Sequence, residues 1–402
     1  MSVEHVVCLT GVKVRYRFRC YPSVPQERAL AQLFGCVRLV YNRALAYRKD
    51  SYAKDKTSIS YGQTSARLTL WKQEPELAFL SEVSCVPLQQ CLRHLNTAFG
   101  NFFAKRAAFP RFKSKRGEQS AEFTTRAFTW EGGNKHLSLA KLGALRVRWS
   151  RDFRSTPSTV TITKDCAGRY FVSLCLEEKV EPLPKTGQSV GIDVGVSALA
   201  TLSTGEKIAN PKHLSRKLDR LARLQRVLAR RRKGSGRWER QRLKVARLQA
   251  HVADSRRDHL AKVTTDLVRR FDVLCIEDLN VRGMMANRCL SRAIADVGLH
   301  TFRSMLAYKC AWHVRDLKVA NRFYPSSKRC SACGVVRDEM PLNVRSWICP
   351  QCGAIHERDH NAATNLLAAG HAATARGGRV SPRTAKAARG RARRSVNQPA
   401  LS

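Results

Sequence analysis

Acidic residues are scarce in this chain. Against 73 Lys and Arg stand only 31 Asp and Glu, a net charge of +42 over 402 residues. Such an excess points to a polyanionic partner, either nucleic acid or an anionic membrane surface. Long apolar runs are missing too, and none reaches the length needed to cross a bilayer. The opening MSVEHVVCLTGVKVRYRF alternates like a strand and lacks the layout of a secretory signal. These absences argue against membrane and secreted classes and lead us to expect a cytoplasmic protein that works on nucleic acid. No internal repeat is visible. At 43% apolar the chain can build real cores, and its length suggests two or three domains. A basic structural protein of the ribosomal kind is the plain alternative, which only the motifs can decide.

Fourteen cysteines are present, and ten are scattered singly, such as Cys36, Cys91, Cys275 and Cys310. In a reducing compartment these read as core residues. The other four are grouped as RCSACG and ICPQCG, giving Cys330, Cys333, Cys349 and Cys352. Each pair offers two thiolates from one tight turn, and Gly334 and Gly353 permit the turn. Four thiolates at this spacing suit one tetrahedral zinc ion, closed and therefore structural.

VKVRYRFRCYP, 12–22, reads as a strand. A helix opening at Pro25 carries Leu30, Leu33, Phe34, Val37, Val40, Tyr41 and Ala44 at helical spacing. A second helix from about Pro87 carries Leu88, Leu92, Leu95, Phe99, Phe102 and Phe103. The loop FPRFKSKRG that follows mixes Phe109 and Phe112 with Arg111, Lys113, Lys115 and Arg116. Cations with interleaved aromatics suit a nucleic-acid backbone with unstacked bases, although a solvated basic loop has the same composition. Residues 121–183 read as strands, with a hairpin over 159–177, and EPLPKTG, 181–187, reads as a linker. Residues 212–270 read as a long helical hairpin broken at the GSG of 234–236. Fifteen Lys or Arg lie between 212 and 247, among them Arg230, Arg231, Arg232 and Lys233. So one-signed a run repels itself unless phosphates neutralise it. The tail, 371–402, has eight Lys or Arg and no acid, a composition of disorder.

Against this background three acids stand out. Asp193 lies inside the apolar run SVGIDVGVSALATL, where a lone carboxylate is costly unless paired or bound to a cation. Glu277 ends a second apolar strand, DVLCIEDLN. Asp359 follows the cysteine cluster in HERDHNAATNLLAAG, which reads as the start of a helix. If the two strands are neighbours, Asp193 and Glu277 leave the sheet at the same edge, and Asp359 can join them. Three such carboxylates repel one another and call for cations. Magnesium is the natural occupant, and two ions could clamp both oxygens of a phosphodiester displacement. Each acid alone could equally be a cap or an ion-paired residue.

The order of the motifs, with the cysteines between the second acid and the third, resembles the TnpB (OrfB) family of insertion sequences, related to the type V CRISPR effectors. The resemblance spans about 12–370. It is strongest in GIDVGVSALATL, VLCIEDLNVRGMM and the run from FYPSSKRCSACG to CPQCGAIHERDHNAATNLLAAG. It implies an α/β RNase H-like (RuvC-like) nuclease core, 188–325 plus 354–370, containing the hairpin 212–270. A zinc ribbon at 326–353 interrupts this core. A mixed helix/β-barrel-like recognition and wedge module, 1–185, precedes it, helical over about 25–110 and β over 1–22 and 121–183. Asp193, Glu277 and Asp359 fall on the magnesium-binding acids of the family, and the four cysteines on its zinc ligands. Where the family often has Asp-Arg-Asp this chain has Glu357-Arg358-Asp359, with Arg358 placed to meet a phosphate or offset the acids. The implied activity is RNA-guided, magnesium-dependent DNA cleavage beside a short flanking motif. The implied partners are a guide RNA from the transposon end and target DNA, with one chain per guide and no membrane. A catalytically silent RNA-guided regulator and a transposase acting directly in strand transfer are the alternatives.

Overall fold

The computed structural model describes residues 11–375, apart from Asn134 and Leu342. The chain divides into two units. One comprises Met1–Pro182 and His213–Arg257, the other Leu183–Lys212 and Asp258–Ser402.

In the first unit β1 (Val12–Cys20) buries Val14, Phe18 and Cys20 and turns Lys13, Arg15 and Arg17 outward, the period of two that a half-buried strand requires. Ser23 and Gln26 form a capping box that starts α1 (Val24–Asp55). The apolar residues of α1, spaced three and four apart, lie buried. A second capping box, Ser60 with Gln63, starts α2 (Tyr61–Gln73). Only Thr64, Leu68 and Trp71 of α2 are buried, so hydrophobic spacing gives little notice of it. α3 (Cys85–Phe103) buries Leu88, Cys91, Leu92 and Leu95, and Pro87 sits in its first turn, where no helical partner is needed.

Strands β2 (Gln119–Thr124), β3 (Phe128–Glu131), β4 (His136–Leu139), β5 (Gly143–Ala144), β6 (Val147–Arg148), β7 (Thr159–Lys164) and β8 (Tyr170–Glu178) follow. One antiparallel sheet has the order β2-β7-β8-β1-β6, and a smaller one has β3-β4-β5. The hairpin expected at 159–177 is β7-β8. Among the described residues the larger sheet does not close, which corrects the barrel-like expectation. Its edge strands β2 and β6 do not pair with each other, and β6 itself pairs with β1 through only two residues. The inner face of this sheet and the three helices share one core, which includes Phe18, Phe123, Val172, Leu30, Leu88 and Leu92.

The long hairpin is α4 (Leu218–Ala229) and α5 (Gly236–Arg270), with the turn at Gly234, whose φ is +88°. Up to Arg257 it groups with the first unit rather than with the second, in which the resemblance had placed it. Arg169 there pairs with both Asp165 and Asp254. Periodicity identified a helix but not the surface it would cover.

The second unit contains β9 (Ser189–Val194), β10 (Ala198–Leu202), β11 (Lys207–Ala209), β12 (Val273–Glu277), α6 (Val281–Met284), α7 (Ser291–Val297), α8 (Leu299–Trp312), β13 (Asp316–Ala320), β14 (Ser346–Ile348), β15 (Ile355–Glu357) and α9 (Arg358–Ala375). Its sheet has the order β11-β10-β9-β12-β13. β9, β12 and β13 run parallel, and β10 and β11 are antiparallel to their neighbours. Val190, Ile192, Leu274 and Ile276 are fully enclosed, as the apolar runs of central parallel strands require. α9 lies directly on β9 and β12. Two glycines allow the approach. A Cβ on Gly191 would stand 1.9 Å from the Ala363 carbonyl oxygen, and one on Gly370 would stand 2.0 Å from Cys275 Sγ. The cysteine segment, with the β14-β15 hairpin, is inserted between β13 and α9. α9 continues to Ala375, past the start expected for the tail, and the rest of that tail lies outside the described residues. Among the described residues no helix is long and apolar enough to cross a membrane.

Candidate functional site

The site begins with strand register. β9 and β12 are parallel, and the last registered pair is Ile192 with Ile276. One step further along both strands stand Asp193 and Glu277. Asp359 is the second residue of α9, whose packing on β9 delivers its N-terminal turn to the same end of the sheet. Asp193 and Asp359 line one cavity of about 120 Å³ together with Thr201 and Arg345. Glu277 lines another, of about 260 Å³, with Asp278, His300, Arg303 and Arg322. The three carboxylates are half-buried. Their oxygens are not all within 4.8 Å of one another, as the four thiols are.

The electrostatics separate these acids from ordinary ion-paired ones. Burial, then the charges of Asp359 and Glu277, push the Asp193 carboxyl up to about 7, with Arg358 and Arg345 pulling the other way. Burial also raises Glu277, with Asp278 adding to it. Neither Asp193 nor Glu277 has a hydrogen-bond or ion-pair partner among the described residues. The neighbouring Asp278 behaves oppositely. Its hydrogen bond to Arg303, with Arg322 at 3.0 Å, holds it below the usual carboxylate range. Of two adjacent acids, one is neutralised by arginines and the other is left bare. This arrangement can receive cations, which would offset charges that the protein itself leaves unbalanced.

Arg345 is the cation that sequence reasoning missed. Its Nη1 lies 3.6 Å from Asp359 Oδ1. It sits in the cysteine segment, and among so many arginines nothing in the sequence marks it. Arg358 makes no ion pair with an acid among the described residues and donates to the Pro341 carbonyl at 3.1 Å, but its charge still pulls Asp193 down. Glu357 pairs with Lys207 on β11.

The four cysteines meet. Cys330 and Cys352 sulfurs are 3.7 Å apart, Cys333 and Cys349 3.6 Å. Tetrahedral thiolates at a zinc–sulfur distance of about 2.3 Å would be separated by nearly that spacing. Burial raises the Cys330 thiol, but backbone N–H groups of Cys333 and Ala332 and the His356 ring outweigh it and bring it to about 7. At Cys349 burial likewise raises the thiol, and the N–H groups of Cys352 and Gln351 bring it down to about 6. His356 Nε2 lies 3.0 Å from Cys330 Sγ. The cluster is tied to α9 by asparagines. Asn361 donates to the Arg329 carbonyl at 2.7 Å and accepts from the Ser331 N–H at 2.9 Å. Asn365 donates to the carbonyls of Ser326 and Arg329. The cysteine turn and Asp359 therefore share one rigid connection.

The residues expected to touch nucleic acid are placed unevenly. Arg111, Lys115 and Arg116 are exposed, with Arg116 stacked near Trp238 at 5.2 Å. Lys113 is turned inward, its ammonium 4.4 Å from the Tyr41 ring centre and its backbone bonded to Asn42. Arg230, Arg231, Arg232 and Lys233 are exposed in the turn between α4 and α5.

Three family descriptions match segments of the chain. "Probable transposase", the OrfB family, matches 173–288; "Cas12f1-like, TNB domain" matches 300–366; "Helix-turn-helix domain" matches 12–57. The last segment is β1 and the single long α1 here. A protein of Streptomyces pristinaespiralis named "Putative RNA-guided DNA endonuclease" is 52% identical over 391 residues, 96% of each chain. A relative from Escherichia coli K12 with the same description is 36% identical, covering 90% of this chain and 93% of its own. The solved "Cryo-EM structure of the Cas12f1-sgRNA-target DNA complex" superposes with a TM-score of 0.55 at 11% identity, covering 89% of this chain and 99% of that one. At that identity the likeness speaks for the fold alone. Identity sustained along nearly the whole length of both proteins, together with the matched transposase segment, places this chain in the OrfB (TnpB) family.

Proposed function

We propose that this chain is an RNA-guided, magnesium-dependent DNA endonuclease of an insertion element, with its nuclease centre at Asp193, Glu277 and Asp359. The observation that carries the proposal is the convergence of three carboxylates, two of them with no hydrogen-bond or ion-pair partner among the described residues, at one end of a mixed sheet in a chain of net charge +42. The mixed sheet, with an acid at the end of its central strand, supports an RNase H-like core. The curated relatives named as RNA-guided DNA endonucleases support the guide and the substrate.

Asp193, Glu277 and Asp359 would hold magnesium, which supplies charge neutralisation for an attacking water and a departing phosphodiester oxygen. Cys330, Cys333, Cys349 and Cys352 would hold one zinc ion, closed to substrate and structural. The chain's own contribution is positional. β9 and β12 set two acids side by side, and α9, clamped at Gly191, presents the third. Arg345 offsets part of the charge at Asp359. The basic turn at Arg230–Lys233 and the exposed Arg111, Lys115 and Arg116 offer phosphate contacts.

The test is cleavage of labelled DNA by protein co-expressed with the flanking DNA of its element, so that any guide RNA co-purifies. Asp193→Ala and Glu277→Ala each abolish cleavage and keep nucleic-acid binding. Cleavage by either purified variant would refute the assignment, and joined rather than hydrolysed strands would move the chain to transposase chemistry.

A further inference from the structure

The first unit contains an open aromatic cavity that the nuclease reading does not use. It lies between the C-terminal ends of α1 and α3, with a volume of about 560 Å³. This is within the range of about 300–1,000 Å³ typical of small-ligand sites. Phe99, Phe102, Phe103 and Phe109 line one side. The ring of Phe109 meets Phe99 and Phe102 edge-on at 5.5 and 5.3 Å. These rings are not sealed. Phe103 is 69% exposed, Phe109 44% and Tyr52, across the cavity, 58%. So many exposed aromatics in one place mark a binding surface rather than a core.

The rim and floor say what kind of ligand fits. Lys49 and Lys56 stand exposed at the rim, and no carboxylate lines the cavity. Arg48 forms part of the floor, 7% exposed, its guanidinium 4.9 Å from the Phe99 ring centre. One of its terminal nitrogens donates to Asn96 at 2.9 Å, but its buried Nε has no hydrogen-bond partner. That Nε is enclosed, so what Arg48 offers the cavity is its charge. The combined demand is for a flat aromatic group attached to negative charge.

We infer that this cavity receives a single unpaired nucleobase from a nucleic-acid strand. The base stacks against Phe103 and Phe109, above the Arg48 charge, and the flanking phosphates lie against Lys49 and Lys56. Aromatic stacking combined with backbone neutralisation is how single strands are held without sequence preference. The inference rests on the nucleic-acid reading above but not on the cleavage chemistry.

The test uses the full chain and single-stranded oligonucleotides of roughly 12 nucleotides. One carries 4-thiothymidine in DNA and another 4-thiouridine in RNA; each is irradiated and the adducts are mapped by mass spectrometry. Adducts on Phe103, Phe109 or Tyr52 are expected, and the arm that gives them identifies the strand type. The pair Phe103→Ala with Phe109→Ala, checked by thermal melting, should weaken binding of the base-bearing strand about tenfold. The same pair should leave an abasic strand of equal length unaffected. Phe103→Ser alone removes only the ring contacts of an exposed side chain to Phe99 and Phe102 and serves if the pair unfolds. Adducts confined to other surfaces, or equal loss for the abasic strand, overturn the inference. A wild-type chain that binds neither oligonucleotide overturns the nucleic-acid reading with it, whereas binding without adducts in the cavity overturns this inference alone.

Discussion

Replacing Gly191 by alanine tests whether the packing of α9 positions the acids. The new Cβ would lie 1.9 Å from the Ala363 carbonyl oxygen and 2.7 Å from the Leu367 nitrogen. Both are backbone atoms of one helix, so no side chain can swing aside. Real Cβ contacts stay beyond 3.0 Å, so the helix must withdraw by roughly 1 Å or the strand must bend, as in other overpacked cores. Overpacking of this kind costs about 1–3 kcal/mol, which for a chain of this size lowers the melting temperature by only a few degrees. The effect on chemistry should be larger. Asp359 rides on the first turn of that helix, and a misplacement of about 1 Å can cost on the order of 100-fold in rate. Cleavage measured in single turnover, beside a thermal melt, should therefore show a large loss of rate with a modest loss of stability. Unchanged cleavage in a folded Gly191→Ala protein would refute the claim that α9 sets the geometry of Asp359.

Further expectations follow from the same observations. Asp193 is raised to about 7, so in metal-free protein its contribution to stability is fully present below about pH 4 and is lost as pH rises through 7. Asp193→Asn should then be the more stable protein at pH 8 without divalent ions, and denaturant curves at pH 5 and 8 check this; equal curves at both values would contradict it. Cys349→Ser should lose the bound metal by elemental analysis and lower the melting temperature, because the cluster anchors α9 through Asn361 and Asn365. Gly35, within α1, has open space where a Cβ would stand. Gly35→Ala should stabilise by about 0.5–1 kcal/mol, readable as a shift in denaturation midpoint.

Much of the candidate site was legible because its chemistry is written locally. The two cysteine pairs announce themselves by spacing. Asp193 stands out as a charge inside one apolar run and Glu277 as a charge closing another, and their adjacency needs only that the two strands be neighbours. Arg345 was not legible, because its importance comes from a fold that returns an inserted segment to Asp359. Lys113 looked like a phosphate contact, yet Asn42 and Tyr41 draw it inward, a tertiary effect that local composition cannot express. The helix α2 was hidden for a related reason. It is specified by its cap, Ser60 with Gln63, more than by a stripe of apolar residues. The hairpin α4-α5 was visible as helix, but amphipathicity does not name the partner surface.

The order of these pieces along the chain also bears on timing. β9 and β12 are synthesised well before α9, and between them and α9 lies the cysteine segment that Asn361 and Asn365 grip. While the ribosome is still making that segment, the sheet can form, but its third carboxylate has no place to stand. A partly made chain would thus lack one acid of the proposed centre. The helix that carries this acid must still settle into the notch at Gly191. For a chain of net charge +42, the proposed centre would then be completed only after the strands that carry its first two acids.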